Sequence, residues 1–132
     1  MAINRNTITQ RAVVAPTGTG SVYFVLENTP YAGLQVVKEQ GTTTTDFLQV
    51  YYSNISRTEI PGAGGDEGMP ITSSNYPYVW AGPDPAFSAS LFTASAPASQ
   101  VYNIGNVAAR FANVRLGSTT GGSFIFSLTR KD

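Results

Sequence analysis

Short runs of alternating apolar and polar residues constrain this chain most, because they recur along the whole sequence with a period of two. The clearest run is "SVYFVLE", in which Val22, Phe24 and Leu26 alternate with Ser, Tyr, Val and Glu. Successive side chains of a β-strand point to opposite faces, so the run predicts a strand with those three residues facing inward. No window of helical length keeps an apolar period of 3.6 residues without a glycine or proline. The sequence therefore predicts helix of a turn or two at most.

Further strands are predicted about every ten to fifteen positions, between clusters of Gly, Pro, Asn and Ser. The first half of the chain supplies "TITQRAVV", "AGLQVVKEQ" and "TTTTDFLQVYYSNI", and the second half supplies "YPYVWAG", "FSASLFTA" and "SQVYNIG". Pro77 favours a sheet edge or a strand end for "YPYVWAG", because proline has no amide N–H to donate to a central ladder.

The last segment, "ARFANVRLGSTTGGSFIFSLTRK", predicts a hairpin. Two apolar rows flank its glycine-rich turn: Ala112, Val114 and Leu116 before it, and Phe124, Phe126 and Leu128 after it. The glycines supply the positive φ that such turns require. The two rows are predicted to share one buried face.

About eight short strands in 132 residues predict a single all-β domain. A two-sheet antiparallel sandwich of jelly-roll kind suits this regular spacing of strands and turns, and a small Greek-key barrel is the alternative. A polar N-terminal arm at about 1–12 and a long Gly/Pro-rich loop at about 60–75 complete the predicted domain.

The composition argues against most enzyme classes. The chain contains no cysteine and no histidine, which excludes disulfides, cysteine-based zinc sites and Ser-His-Asp or Cys-His hydrolases. The few carboxylates mostly occupy predicted turns or strand ends, where they commonly serve solvation. We therefore expect a non-enzymatic protein with no catalytic residues and no cofactor.

The charge balance argues against nucleic acid as a partner. Lys plus Arg and Asp plus Glu number eight each, so no basic excess is available to bind phosphates. Charged residues make up 12% of the chain, against about 25% in an average domain, and such a neutral surface favours association. The chain has no signal-peptide pattern and no apolar run of membrane-span length, so we expect synthesis in the host cytoplasm and no membrane partner.

The stretch "IPGAGGDEGMPI", residues 60–71, raises the question of an ion or phosphate site. It lacks the Gly-Lys-Ser/Thr ending of a phosphate loop, and Asp66 and Glu67 would repel a phosphate. Two adjacent carboxylates are fewer than the twelve-residue calcium loop provides, although a calcium-stabilised domain stays an alternative. We predict no metal site and interpret the stretch as a solvated contact loop.

Tyr76, Tyr78 and Trp80 alternate in "NYPYVWAG". In an extended segment all three rings project from one face. An exposed row would provide a platform for stacking on sugar rings or on a partner's apolar surface, whereas a buried row would be ordinary core. The sequence leaves both readings open.

The chain resembles the small accessory structural proteins of tailed bacteriophages, such as capsid decoration proteins and tail or neck components. The residues that carry the resemblance are the opening "MAINRNTITQ", the threonine run 42–45 and the closing "NVAARFANVRLGSTTGGSFIFSLTRKD". The resemblance implies a virion location, major capsid or tail proteins as partners, and a homo-oligomer. It also implies contacts through the arm and the loop, with these candidates: Asn4, Arg5, Arg11, Asp66, Glu67 and Met69. The alternative function is a glycan- or host-surface-binding sandwich that uses the aromatic platform.

Overall fold

The computed structural model describes nine stretches of the chain. These are residues 7–14, 18–26, 31–39, 47–61, 68–73, 75–85, 98–105, 109–118 and 122–131. At some positions within the strands, residues 11–14 among them, only the backbone is described.

Strands dominate the described residues, as predicted. The strands are β1 Thr7–Val14, β2 Gly18–Val25, β3 Tyr31–Lys38, β4 Phe47–Ser53, β5 Ala98–Gly105, β6 Phe111–Ser118 and β7 Gly122–Lys131. The only helical pieces in these stretches are two three-residue 3₁₀ turns, Arg57–Glu59 and Pro77–Val79. No helix within the described ranges has the length and apolarity needed to cross a membrane.

The seven described strands form two antiparallel sheets, which confirms the predicted sandwich. One sheet has the order β1-β7-β3-β5 and the other the order β2-β6-β4. Consecutive strands alternate between the sheets, and this is the strand order of a jelly roll. The position beside β4, where an eighth strand would complete the second sheet, is occupied by a short segment. There Ala81 bridges Tyr52, and the amide of Asp84 donates to the carbonyl of Val50 at 2.8 Å.

The core lies between the sheets and is filled by the inward rows of the alternating strands. Val22, Phe24 and Leu26 are buried as predicted. The other strands contribute further buried members of the same cluster: Leu34, Val36, Leu48, Val50, Ile104, Val114, Phe124, Phe126 and Leu128. Lys38 ends the inward row of β3 and is fully buried too, which the pattern did not predict.

The predicted hairpin between the last two strands is wrong. β6 lies between β2 and β4, whereas β7 lies between β1 and β3 in the other sheet. The apolar rows of β6 and β7 therefore face each other across the core instead of sharing one face of a ribbon. Alternation in a sequence specifies which side chains point inward, but it does not specify which strand lies alongside.

The other strand predictions have different outcomes. "TITQRAVV" and "SQVYNIG" are strands, so residues 7–12 of the predicted arm belong to β1. "YPYVWAG" is not a strand, because Pro77–Val79 form a 3₁₀ turn that suits the fixed φ of proline. "FSASLFTA", the threonine run 42–45 and residues 1–6 lie outside the described residues.

Candidate functional site

A cleft lies on the outer face of the three-stranded sheet. Its floor begins with a row of direct cross-strand partners, Tyr23 of β2, Asn113 of β6 and Tyr51 of β4. Two residues further along the strands, Ser21 pairs with Arg115 and so projects on the same side. These outward positions belong to strands whose alternate residues fill the core.

A segment between Ile71 and Asp84 crosses this outer face and provides the wall of the cleft. Ile71, Val79 and the outward-facing Phe111 are all buried, but they do not belong to the core cluster between the sheets. Small apolar clusters of this kind form under long loops. The segment is thus held by burial at its start, at Ile71, and in its middle, at Val79.

Hydrogen bonds fix the segment at its start. The Nε of Arg57 donates to the carbonyl of Pro70 at 2.6 Å, and a terminal nitrogen of Arg57 donates to the Oγ1 of Thr72 at 3.0 Å. The hydroxyl of Tyr23 donates to the carbonyl of Thr72 at 3.4 Å, which ties the segment to β2.

The end of the segment is tied to β4. The hydroxyl of Tyr52 donates to the Oδ2 of Asp84 at 2.6 Å. Burial raises the pKa of the Tyr52 phenol, and the hydrogen bond and negative charge of Asp84 raise this pKa further. Because the neutral phenol is the donor, this contact keeps its full strength at neutral pH.

Gly82 allows the segment to approach β4 closely. Its φ of 145° lies in a region that L side chains rarely adopt. A Cβ at this position would lie 3.0 Å from the Cδ1 of Tyr51 and 3.1 Å from the carbonyl oxygen of Val50. Glycine is therefore required here for both conformation and space.

The cleft has a volume of about 350 Å³, which is within the range of small-ligand sites. Its described lining is mainly aromatic and hydroxylic: Ser21, Tyr23, Tyr51, Thr72, Ser73, Pro77, Trp80, Asn113 and Arg115. The rings of Tyr23 and Trp80 are tilted by 49° with centroids 5.7 Å apart. The guanidinium carbon of Arg115 lies 5.7 Å from the centroid of the Tyr51 ring, at cation–π distance.

Asn113 is the most unusual residue of the cleft. It is 6% exposed, and its Oδ1 is buried without a hydrogen-bond partner among the described residues. A buried polar group usually has a partner, because leaving it unsatisfied costs about 1–3 kcal/mol. Because this oxygen is closed to solvent, a rotation of the amide at the floor of the cleft would be needed to offer it to a partner from outside the domain.

The chemical groups of the cleft suit binding. Aromatic faces, hydroxyls, an amide and a guanidinium are present, and the described lining contains no carboxylate. Within the stretches that the structure describes, no three His, Cys, Asp or Glu side chains come together to hold a metal ion. The arrangement therefore presents groups that orient a polar ligand.

Of the three predicted platform residues, only Trp80 lines the cleft. Tyr76 and Tyr78 pack edge to face with centroids 6.0 Å apart, and the side chain of Tyr78 is 72% exposed. The predicted row on one face would require an extended segment, and the 3₁₀ turn at Pro77–Val79 replaces it.

The predicted contact residues lie elsewhere. Met69 is exposed, next to the buried Pro70 and Ile71. Arg11 belongs to β1, where its backbone pairs with Ile125. The remaining four candidates lie outside the described residues: Asn4, Arg5, Asp66 and Glu67.

Sequence reasoning missed most of the cleft. Tyr23, Tyr51, Asn113 and Arg115 all occupy the outward positions of alternating strands, so their orientation was available from the pattern. The pattern does not predict that these residues lie close together, because their proximity depends on β6 lying between β2 and β4.

No protein-family model matches this chain, and a search of curated proteins finds no match either. The fold and the cleft define its class: a jelly-roll domain with an aromatic cleft on the outer face of its smaller sheet.

Proposed function

We propose that this chain is a non-enzymatic structural subunit of a phage virion, which binds the capsid or the tail as a repeated, oligomeric accessory protein. The jelly roll supports the proposal, since viral capsid proteins commonly use this fold. The neutral, weakly charged composition supports it too, because such surfaces associate readily.

The observation that carries the proposal is an uncharged band on the outer face of the four-stranded sheet. Two complete rows of neighbouring residues cross this face without a charge: Thr7, Thr129, Gly33 and Asn103, and then Thr9, Ser127, Gln35 and Val101. Tyr31 and Val101 expose 54% and 61% of their surface. An uncharged band with exposed apolar groups beside it is suited to packing against another protein.

The edge of the same sheet supports this interpretation. β5 has eight residues, contains neither charge nor proline, and pairs only with β3 among the described residues. Soluble proteins usually protect such edges with charges, prolines or bulges, because an open edge templates further strand pairing. An edge without these features is expected to meet a partner in an assembly.

Mass spectrometry of purified phage particles, from cells that carry this gene, tests the virion assignment. The expected result is this chain at a stoichiometry comparable to that of a repeated capsid or tail subunit. Particles that lack the chain, while it is abundant in the same lysate, would exclude the proposal.

Light scattering of the purified protein tests the proposed surface. Val101→Lys should lower the oligomeric mass without unfolding the domain, because the side chain is mostly exposed and surface changes usually alter stability by less than about 0.5 kcal/mol. Thr58→Lys adds the same charge at an exposed position of the first 3₁₀ turn and is the control. An oligomer that survives Val101→Lys would assign the contact to another surface.

The second candidate function is recognition of a glycan or host surface. The aromatic cleft that contains Tyr23, Tyr51 and Trp80 favours it. A glycan array with Trp80→Ala as the comparison tests this function, and Trp80-dependent sugar binding is the expected result. An array without any Trp80-dependent signal would remove this candidate.

A further inference from the structure

From the cleft on the three-stranded sheet, we infer a binding site for an acidic sugar, a hexuronic or sialic acid unit whose carboxylate pairs with Arg115 and whose hydroxyl bonds to Asn113. This inference rests on the second candidate function and specifies its ligand. It is independent of whether the chain belongs to a virion.

The amide of Asn113 argues for a ligand with hydroxyl groups. Its Oδ1 is buried and lacks a partner among the described residues, although it lies between the aromatic side chains of Tyr23 and Tyr51 on a central strand. A sugar hydroxyl both donates and accepts hydrogen bonds, so it can satisfy an amide that no described side chain satisfies. The oxygen is closed to solvent in this structure, so a rotation of the amide would bring it to the ligand hydroxyl.

The aromatic rings argue for a ligand with an apolar face. Tyr23 and Trp80 present rings tilted toward each other on one side of the cleft, and Tyr51 lies on the other side of Asn113. The faces of aromatic rings carry partial negative charge and attract the weakly positive C–H groups of a pyranose ring. A sugar has both an apolar C–H face and a rim of hydroxyls, so it can contact the aromatic and the polar groups of the lining. A purely polar or purely apolar ligand would contact only one of these two sets.

Arg115 argues for a negative charge on that sugar. Its guanidinium stacks on the Tyr51 ring and has no ion pair among the described residues. By contrast, Arg110 pairs with Glu59 at 2.6 Å. Because the described lining contains no carboxylate, an acidic ligand would supply the missing partner in a two-pronged hydrogen bond.

The volume of the cleft limits the size of the ligand. About 350 Å³ is close to the lower end of ligand sites, which extend from about 300 to 1,000 Å³. Ser21, Thr72, Ser73 and Pro77 are exposed at its rim, so the cleft opens to solvent. One or two sugar units inside, with the remaining glycan extending outward, fit these dimensions.

Trp80 is the single tryptophan of the chain, so its fluorescence reports directly on the cleft. The test titrates the whole protein with a trisaccharide of galacturonic acid and with sialyllactose, against maltotriose and lactose as neutral sugars and acetate as a simple carboxylate. We expect saturable changes with at least one acidic sugar, at an affinity about tenfold or more above the neutral sugars, because charge-assisted hydrogen bonds are the stronger ones. Acetate should produce no change in the same concentration range.

Four variants test the roles of individual cleft residues in sugar binding. Arg115→Gln should remove the preference for acidic over neutral sugars, and Arg115→Lys should restore part of it, because lysine keeps the charge and loses the planar fork. Asn113→Leu should abolish binding while the fold is retained, as checked by circular dichroism. Tyr78→Ala removes an exposed ring in the same segment that does not line the cleft, and it should leave binding unchanged.

The outcomes separate the inference from the function on which it rests. Equal binding of acidic and neutral sugars, unaffected by Arg115→Gln, would overturn the assignment of an acidic ligand. Binding that persists in a folded Asn113→Leu variant would overturn the site. Trp80-dependent glycan binding on an array, with no response to any acidic sugar, would leave the second candidate function in place and remove this inference.

Discussion

The outer faces of the two sheets begin from the same alternating pattern and end in different environments. On the four-stranded sheet two neighbouring outward rows carry no charge, and Thr7 and Thr129 of one row share a hydrogen bond of 2.9 Å. On the three-stranded sheet Phe111 is buried, and a segment crosses the outward side chains and leaves a cleft around Asn113. The difference shows that the exposure of an outward side chain depends on which segment crosses it.

The two faces suit different kinds of partner. An uncharged band beside an edge strand that pairs only with β3 among the described residues suits contact with a large partner, whereas a walled cleft suits a small ligand. Three pairs of substitutions test how far the two faces differ, and a fourth tests the contact that ties the covering segment to β4.

The largest difference is expected for large apolar side chains. Phe111→Ala, on the covered face, should lower the free energy of unfolding by about 3–5 kcal/mol, because it leaves a cavity. Ile125→Ala, an outward and half-buried position on the open face, should cost about 1 kcal/mol. Urea denaturation of both variants measures the difference. Equal losses would show that Phe111 is not effectively buried on the covered face.

Glycines on the two faces provide the second pair. Gly82→Ala should destabilise the protein by about 1–3 kcal/mol, because its φ is unfavourable for alanine and its Cβ would contact Tyr51 and Val50. Gly33→Ala, on the open face, meets nothing within 4 Å and should be neutral or stabilise the fold by up to about 1 kcal/mol. Thermal unfolding distinguishes the two. A neutral Gly82→Ala would mean that the segment readily moves away from β4.

Asparagines on the two faces provide the third pair. Asn113→Leu should raise the free energy of unfolding by about 1–2 kcal/mol, since it removes an unsatisfied buried oxygen at nearly constant volume. Asn103→Leu is the control on the open face, where the side chain is exposed, and should change stability by less than about 0.5 kcal/mol. Chemical denaturation without ligand measures both. Destabilisation by Asn113→Leu would mean that the amide serves the fold.

The smallest effect at neutral pH is expected for Tyr52, which ties the covering segment to β4. Tyr52→Phe should cost about 1 kcal/mol at pH 7, because it removes one half-buried hydrogen bond to Asp84.

The pH dependence of stability tests the same contact. The pKa of Tyr52 is raised above its ordinary value of 10.0, mainly by burial. The folded protein therefore retains a proton that the unfolded chain loses, so stability is complete below about pH 10 and falls as the pH rises further. Burial raises the pKa of Tyr102 as well, so part of this slope should persist in Tyr52→Phe.

Melting temperatures between pH 8 and 11 measure the effect, with the exposed Tyr78→Phe as the control expected to keep the wild-type slope. An identical slope in Tyr52→Phe would show that the Tyr52 phenol does not contribute.

The sequence predicted the parts of this fold that depend on local periodicity. Val22, Phe24 and Leu26 face inward as expected, and the outward orientation of Tyr23 and Arg115 follows from the same rule. The sequence also predicted the all-β class and the two-sheet sandwich. Turn residues recur at regular intervals between short strands, and few other folds bury so many alternating apolar rows.

Only the tertiary structure decided which strands are neighbours and what covers them. The glycine-rich link between β6 and β7 suggests a hairpin locally, yet the two strands join different sheets, because each buries its apolar row against the other across the core. Likewise, Tyr76, Tyr78 and Trp80 alternate in sequence, but a 3₁₀ turn separates them and turns Trp80 toward Tyr23. Strand pairing and loop docking bring together residues that are distant in the chain, and a period of two contains no information about those distant partners.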